Sequence, residues 1–236
     1  MPVSTILVPI DISAPEKPDR ALLDLLGPVH VVLLGYYPVP DQNAPAHLRD
    51  QYEEEAAEQL DAIADDFAEE GSEVTSVLVF TRDRDASIER VANERDCTAI
   101  LTSGTTGPVD RVLVPLRGEA NLTEIVTLLA DLLRVSEASV TLFTVTTEEG
   151  TGEREFLLRG AADRLREAGV DPERVDWALE ETDEELPEEA ILERADEYDL
   201  LVVGETDPTL RERILGAVTT RLIDRTDQPV LVVRSP

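Results

Sequence analysis

Apolar positions fall along this chain in two rhythms. Short, nearly unbroken runs occupy Ile6-Leu-Val-Pro-Ile10, Val29–Tyr37, Val74–Phe80 and Ala99–Thr102. Runs of that length bounded by Gly, Pro and acidic residues predict strands buried on both faces. Between them the spacing lengthens. From His47 to Glu70, apolar residues recur at Leu48, Tyr52, Ala56, Leu60, Ile63 and Phe67, steps of three or four that place one stripe on one helix face. Gly71 follows as a C-terminal cap. Shorter helices are predicted over Asp19–Leu26, closed by Gly27-Pro28, and over Ser87–Arg95.

The pattern then starts again. Val112-Leu-Val-Pro-Leu116 echoes the first run. Asn121-Leu-Thr-Glu124 reads as a capping box, opening a helix lined by Leu122, Ile125, Val126, Leu129 and Leu133. Ser139–Thr146, Val175–Leu179, Leu200–Val203 and Val230–Val233 are further strands. Glu153–Ala168, capped by Gly169, and Pro187–Glu197, with proline at its start, are further helices. Strands alternating with helices predict α/β units with parallel sheets and right-handed crossovers. The expected organisation is two tandem doubly wound parallel-sheet units, residues 1–108 and 109–236. After Thr102 the first has only Ser103-Gly-Thr-Thr-Gly-Pro-Val-Asp-Arg111 before the second begins, so it lacks its last helix and strand. The second is complete.

The stretch Asp199–Val233 carries the chemistry expected of such a unit. A buried strand ends on Gly204, a polar loop and helix run to Asp227, and Gln228-Pro-Val-Leu-Val-Val233 returns as a strand. In a βαβ unit the loop after the first strand faces any ligand.

Composition narrows the function. Acidic residues number 51 against 21 basic, a net charge of −30, and Lys17 is the only lysine. This acid is spread over many helix faces. It resembles the surfaces of proteins from halophilic archaea, adapted to a salt-rich cytoplasm where self-repulsion is screened. Nucleic acid is a poor partner for it, because phosphates are repelled. No run approaches the roughly 20 apolar residues of a membrane span, and no secretory signal is visible, so a cytoplasmic location is expected. The one cysteine, Cys97, excludes an internal disulfide and is expected to be a packing residue. His30 and His47 are the only histidines, too few for a metal cluster or a catalytic triad. Glu53-Glu-Glu55 and Glu184-Glu185 are expected to be solvated faces, and Trp177 a core residue.

Several motifs together resemble a tandem universal stress protein. They are Ile6-Leu-Val-Pro-Ile-Asp11, Val112-Leu-Val-Pro-Leu116, Ala195-Asp-Glu-Tyr-Asp-Leu-Leu-Val-Val-Gly204, Gly216-Ala-Val-Thr219 and Gln228-Pro-Val-Leu-Val-Val233. The resemblance covers nearly the whole chain. It implies a Rossmann-like doubly wound fold of the adenine nucleotide alpha hydrolase type, and pairing through the fifth strand. Many members bind ATP through an Asp after the first strand and a Gly-x-x-Gly, nine residues, Gly-Ser/Thr pattern. The glycines admit phosphate to the backbone, and a helix N-terminus favours the anion.

The resemblance assigns a nucleotide site to Asp11 of the first unit and to Pro115, Leu116, Arg117, Gly204, Asp207, Gly216 and Thr219 of the second. The pattern departs from the family in both. Asp207 stands for the second glycine, eight residues precede Gly216, Ala217 replaces the hydroxyl residue, and Arg117 replaces the Asp. In the first unit Asp11 is kept, but Ser103 takes the place of Gly204 and the Gly-Ser segment is missing; Gly104-Thr-Thr-Gly107 reads as a connector. Gly216, Thr219 and the arginines Arg117, Arg211 and Arg213 favour an anion; the carboxylate of Asp207 opposes it. The expectation is a non-catalytic stress-response or regulatory protein with weak or no ATP binding, no metal, an unknown protein partner and a homodimer through the last strand. The alternatives are an ATP-dependent switch and a structural interaction domain akin to transporter-associated regulatory domains.

Overall fold

The structure is a computed structural model and describes residues 3–42, 45–102, 107–146, 150–181, 187–205 and 225–235. It divides into two compact units, Met1–Leu101 and Thr102–Pro236.

In the first unit β1 (Thr5–Asp11), β2 (His30–Pro38), β3 (Glu73–Thr81) and β4 (Ala99–Leu101) alternate with α1 (Arg20–Leu26), α2 (Pro45–Glu69) and α3 (Arg84–Glu94). The strands are parallel in the order β3-β2-β1-β4. Of the expected stripe of α2, Leu48, Ala56, Leu60, Ile63 and Phe67 lie between 0% and 8% exposed, while Tyr52 is half-buried. Its C-terminal turn closes on Gly71 at φ +101°, a backbone that glycine adopts without strain. Asp19 and Asp83 cap α1 and α3 by accepting hydrogen bonds from the amides of Ala21 and Ala86. Cys97 is 4% exposed, packed among Leu7, Ala92 and Ile100. His30 is half-buried, with Nε2 at 2.9 Å from Thr75 Oγ1.

The second unit contains β5 (Arg111–Pro115), β6 (Ser139–Thr146), β7 (Val175–Glu181), β8 (Leu200–Gly204) and β9 (Val230–Val233). With them run α4 (Leu122–Leu132), α5 (Thr151–Glu167) and α6 (Pro187–Ala195). Its strands are also parallel, in the order β9-β8-β5-β6-β7. Leu200–Val203 and Val230–Val233 are at most 3% exposed, as strands covered on both faces must be. Gly169 caps α5 at φ +97°.

Two details differ from expectation. Trp177 is half-buried, because β7 is the edge strand of its sheet, and the Arg159 guanidinium lies 5.6 Å from its ring centroid. Asn121 takes a left-handed conformation, φ +57°, and its side chain does not cap α4. A capping side chain requires extended backbone to reach the first-turn amides.

Gly27 closes the turn from α1 to β2 in tight quarters. A Cβ there would lie 2.6 Å from the carbonyl oxygen of Glu70. Gly27→Ala should therefore destabilise the protein by about 1–3 kcal/mol. Gly118→Ala, with no atom within 4 Å of the added carbon, should stay within about 0.5 kcal/mol of the parent. Thermal unfolding of the two variants in the same buffer checks this.

Candidate functional site

Each sheet has a point where the strand order reverses. In the first unit it lies between β1 and β4, in the second between β5 and β8. Crevices at the carboxyl ends of such strand pairs are where open α/β sheets take ligands.

In the second unit four of the expected residues, Pro115, Leu116, Arg117 and Gly204, lie at that end. Leu113 pairs with Leu201 across β5 and β8; Leu116 follows the end of β5 and Gly204 ends β8. Pro115 ends β5, half-buried. Leu116 is 3% exposed; its amide donates to Phe143 O at 2.7 Å, and its carbonyl accepts from Thr144 Oγ1 at 2.6 Å. Arg117 is exposed, and its carbonyl accepts a hydrogen bond from Arg154 Nη1, which ties the β5–α4 loop to α5. Gly204 ends β8 opposite Val233. Asp207, Gly216 and Thr219 lie outside the described residues, as do Gly104, Glu184, Glu185, Arg211 and Arg213. Asp11 belongs to the first unit, where it ends β1.

The residue that organises this end is Asn121. Its amide Nδ2 donates to the carbonyl of Glu205 at 2.9 Å, and its Oδ1 accepts from Ser235 Oγ at 2.7 Å. The Ser235 amide donates to the Glu205 carboxylate at 3.2 Å, and the Glu205 amide donates to Val233 O at 2.8 Å. The three side chains thus join the start of α4, the end of β8 and the segment after β9. The space above Gly204 is taken: an added Cβ would lie 3.3 Å from Asn121 Nδ2 and 3.5 Å from Ile125 Cδ1. Gly204 is needed here for the close approach of Asn121. Neither Glu205 nor Ser235 carries a sequence signal of this role, and Asn121 reads as a cap because asparagine serves both capping and left-handed backbone.

In the first unit the Asp11 carboxylate accepts hydrogen bonds from the Ser13 amide at 2.9 Å and the Ser13 hydroxyl at 2.6 Å. Aromatic rings fill the same end of this sheet. Tyr37 of β2 stacks on Tyr52 of α2 (centroids 5.4 Å apart) and on Phe80 of β3 (5.1 Å). Arg49 lies over Phe80 and Arg84 over Tyr36. Among the described residues no group of three or more His, Cys, Asp or Glu is arranged to hold a metal ion. No helix among them is long and apolar enough to cross a membrane.

A family model described as Universal stress protein family matches residues 108–234. Solved structures share the fold over the whole chain at low identity. A universal stress protein from Archaeoglobus fulgidus DSM 4304 is 16% identical, with a TM-score of 0.66 over 98% of both chains. A functionally unknown protein from Pseudomonas aeruginosa PAO1 is 17% identical, with a TM-score of 0.57 over 98% of this chain and 92% of that one. The cytoplasmic domain of a prokaryotic cation chloride cotransporter is 15% identical, with a TM-score of 0.56 over 98% of this chain and 95% of the other. No curated protein sequence matches the chain.

Tyr37 yields a pH prediction. Burial raises its pKa above 10.0, and the nearby Tyr52, Glu55 and Asp11 raise it further. The folded protein therefore holds this proton more tightly than the unfolded chain. That stabilisation is complete below pH 10.0 and is lost as pH rises through the higher folded value. Urea midpoints should fall as pH is raised above 10, and fall less steeply in Tyr37→Phe.

Proposed function

Since the chain belongs to the universal stress protein family, we propose that it is a non-catalytic regulatory member whose nucleotide loop has degenerated, binding ATP weakly or not at all. In this reading the first unit, residues 1–108, lacks the last helix and strand of the fold, and the second, residues 109–236, keeps them and the remnant of the site. The protein works in the cytoplasm and acts through a protein partner.

The observation that supports this reading is the linkage over Gly204. A glycine at that strand end suits phosphate because it lets the anion approach backbone amides. Here Asn121 occupies the approach, held by Glu205 and Ser235. The Glu205 carboxylate adds negative charge at the rim, and Asp207 follows two residues later. A like charge about 4 Å from a phosphate costs on the order of 4 kcal/mol at an effective dielectric of 20. Arg117 is the nearby basic residue in the loop, and its guanidinium is the group best placed in sequence to offset part of that repulsion.

Equilibrium binding of ATP, with and without magnesium, in molar potassium chloride tests the reading. No saturation up to millimolar ATP is expected. Saturable micromolar binding that disappears in Gly216→Asp would overturn it. Asn121→Ala removes two hydrogen bonds and should destabilise the fold by about 1–3 kcal/mol.

The surface charge supports adaptation to salt. With a net charge of −30 on the chain, self-repulsion opposes folding unless counterions screen it. The Debye length shrinks from about 10 Å at 0.1 M to about 3 Å at 1 M. The melting temperature should rise by several degrees between 0.1 M and 2 M potassium chloride; an equal or lower value at 2 M would count against the adaptation.

A further inference from the structure

The outer face of α5 is unlike the other long helix surface of this chain. Residues 45–69 of α2 hold nine acidic residues against one arginine. Residues 151–167 of α5 hold four of each, Glu153, Glu155, Asp163 and Glu167 against Arg154, Arg159, Arg164 and Arg166, so its net charge is zero. In the middle of this neutral face stands Phe156, 76% exposed. Its helical neighbours at four residues on either side are Gly152 and Gly160, and a Cβ on either would meet nothing within 4 Å. Glycine inside a helix costs about 1 kcal/mol against alanine, and nothing packed inside this chain requires it at position 160.

We infer that this face is a self-association surface, on which α5 of a second copy packs antiparallel about a two-fold axis passing at Phe156. The two-fold pairs residue i with residue 312 − i. It sets Gly152 against Gly160 of the second copy, Glu153 against Arg159, and Phe156 against Phe156. The Glu153–Arg159 pair therefore occurs twice, once on each side of the axis, as an isologous contact demands. Helical side chains lean toward their own N-terminus. Each Phe156 ring therefore lies over its own Gly152 turn, opposite Gly160 of the other copy, and the two glycines give it room. The occupant is a second copy of this chain because the face complements itself and carries no net charge. A partner helix as acidic as α2 would face the same arginines without matching the glutamates.

One helix crossing buries less than the roughly 1,000 Å² of a stable complex, so the association is weak. Two copies each carrying −30 repel, so it strengthens as salt rises.

Sedimentation equilibrium of the full chain from micromolar to millimolar concentration, in 0.5 M and 2 M potassium chloride, tests this. A monomer–dimer equilibrium is expected, tighter at 2 M. Phe156→Ser should weaken it at least tenfold. Gly160→Gln should weaken it to a similar extent while raising the melting temperature, because the added side chain improves helix propensity and meets nothing within the chain; this separates a blocked contact from a damaged fold. At 0.5 M, Glu153→Arg and Arg159→Glu should each weaken association several-fold, and the double variant should restore it. A chain monomeric at every concentration and salt would overturn the inference. So would a dimer indifferent to Phe156→Ser and Gly160→Gln, which would place the contact on another surface.

Discussion

The constraint on which each unit depends is two-sided burial of its central strands. A parallel ladder has no solvent face: helices must cover both sides, so β1 and β8 are apolar along their middles. Ile6, Leu7, Leu200, Leu201 and Val202 are 0% exposed. Each such side chain contributes about 1.5–3 kcal/mol on leaving water, and the backbone groups between them are paired by the ladder. The crossover helices follow from the same demand. α2 lays Leu60 and Phe67 on the first sheet, and α4 presents Leu122, Ile125 and Leu129, at most 3% exposed, to the second.

This arrangement leaves the carboxyl ends of the strands as the place where polar groups must be satisfied locally. The two units solve it differently. In the first, Asp11 is held by Ser13, and stacked rings of Tyr37, Tyr52 and Phe80 close the ends of β2 and β3. In the second, Asn121 crosses to Glu205 and Ser235. A residue that spends its hydrogen bonds this way has fewer to offer an anion. Gly204 ends β8, and its close neighbour there is the Asn121 side chain.

Charge acts on a different scale from these contacts. The exposed ion pairs, such as Arg90–Glu94 at 2.9 Å, each contribute a fraction of a kcal/mol. The net −30 acts on the whole molecule and on its encounters with others. A face that carries no net charge, such as that of α5, is therefore where a like-charged molecule can approach.

Much of the fold was legible because it is written in local periodicity. The stripe from Leu48 to Phe67 marks a helix, the Val230–Val233 run a buried strand, and Gly71 and Gly169 the ends of helices where only glycine sits without strain. The repeat of Ile6–Ile10 in Val112–Leu116 announced two units of one kind. Family membership, too, was carried by these motifs. What local pattern does not encode is which distant residue meets a given side chain. Asn121 has the spacing of a cap, yet its partners lie 84 and 114 residues away in sequence. Trp177 has the look of core, but its exposure depends on β7 being last in its sheet, which only the strand order decides. The sequence by itself determined the elements and their order, because each depends on neighbours a few residues apart. The tertiary structure alone decided what occupies the end of β8, because hydrogen bonds there join three segments that only the folded sheet brings together.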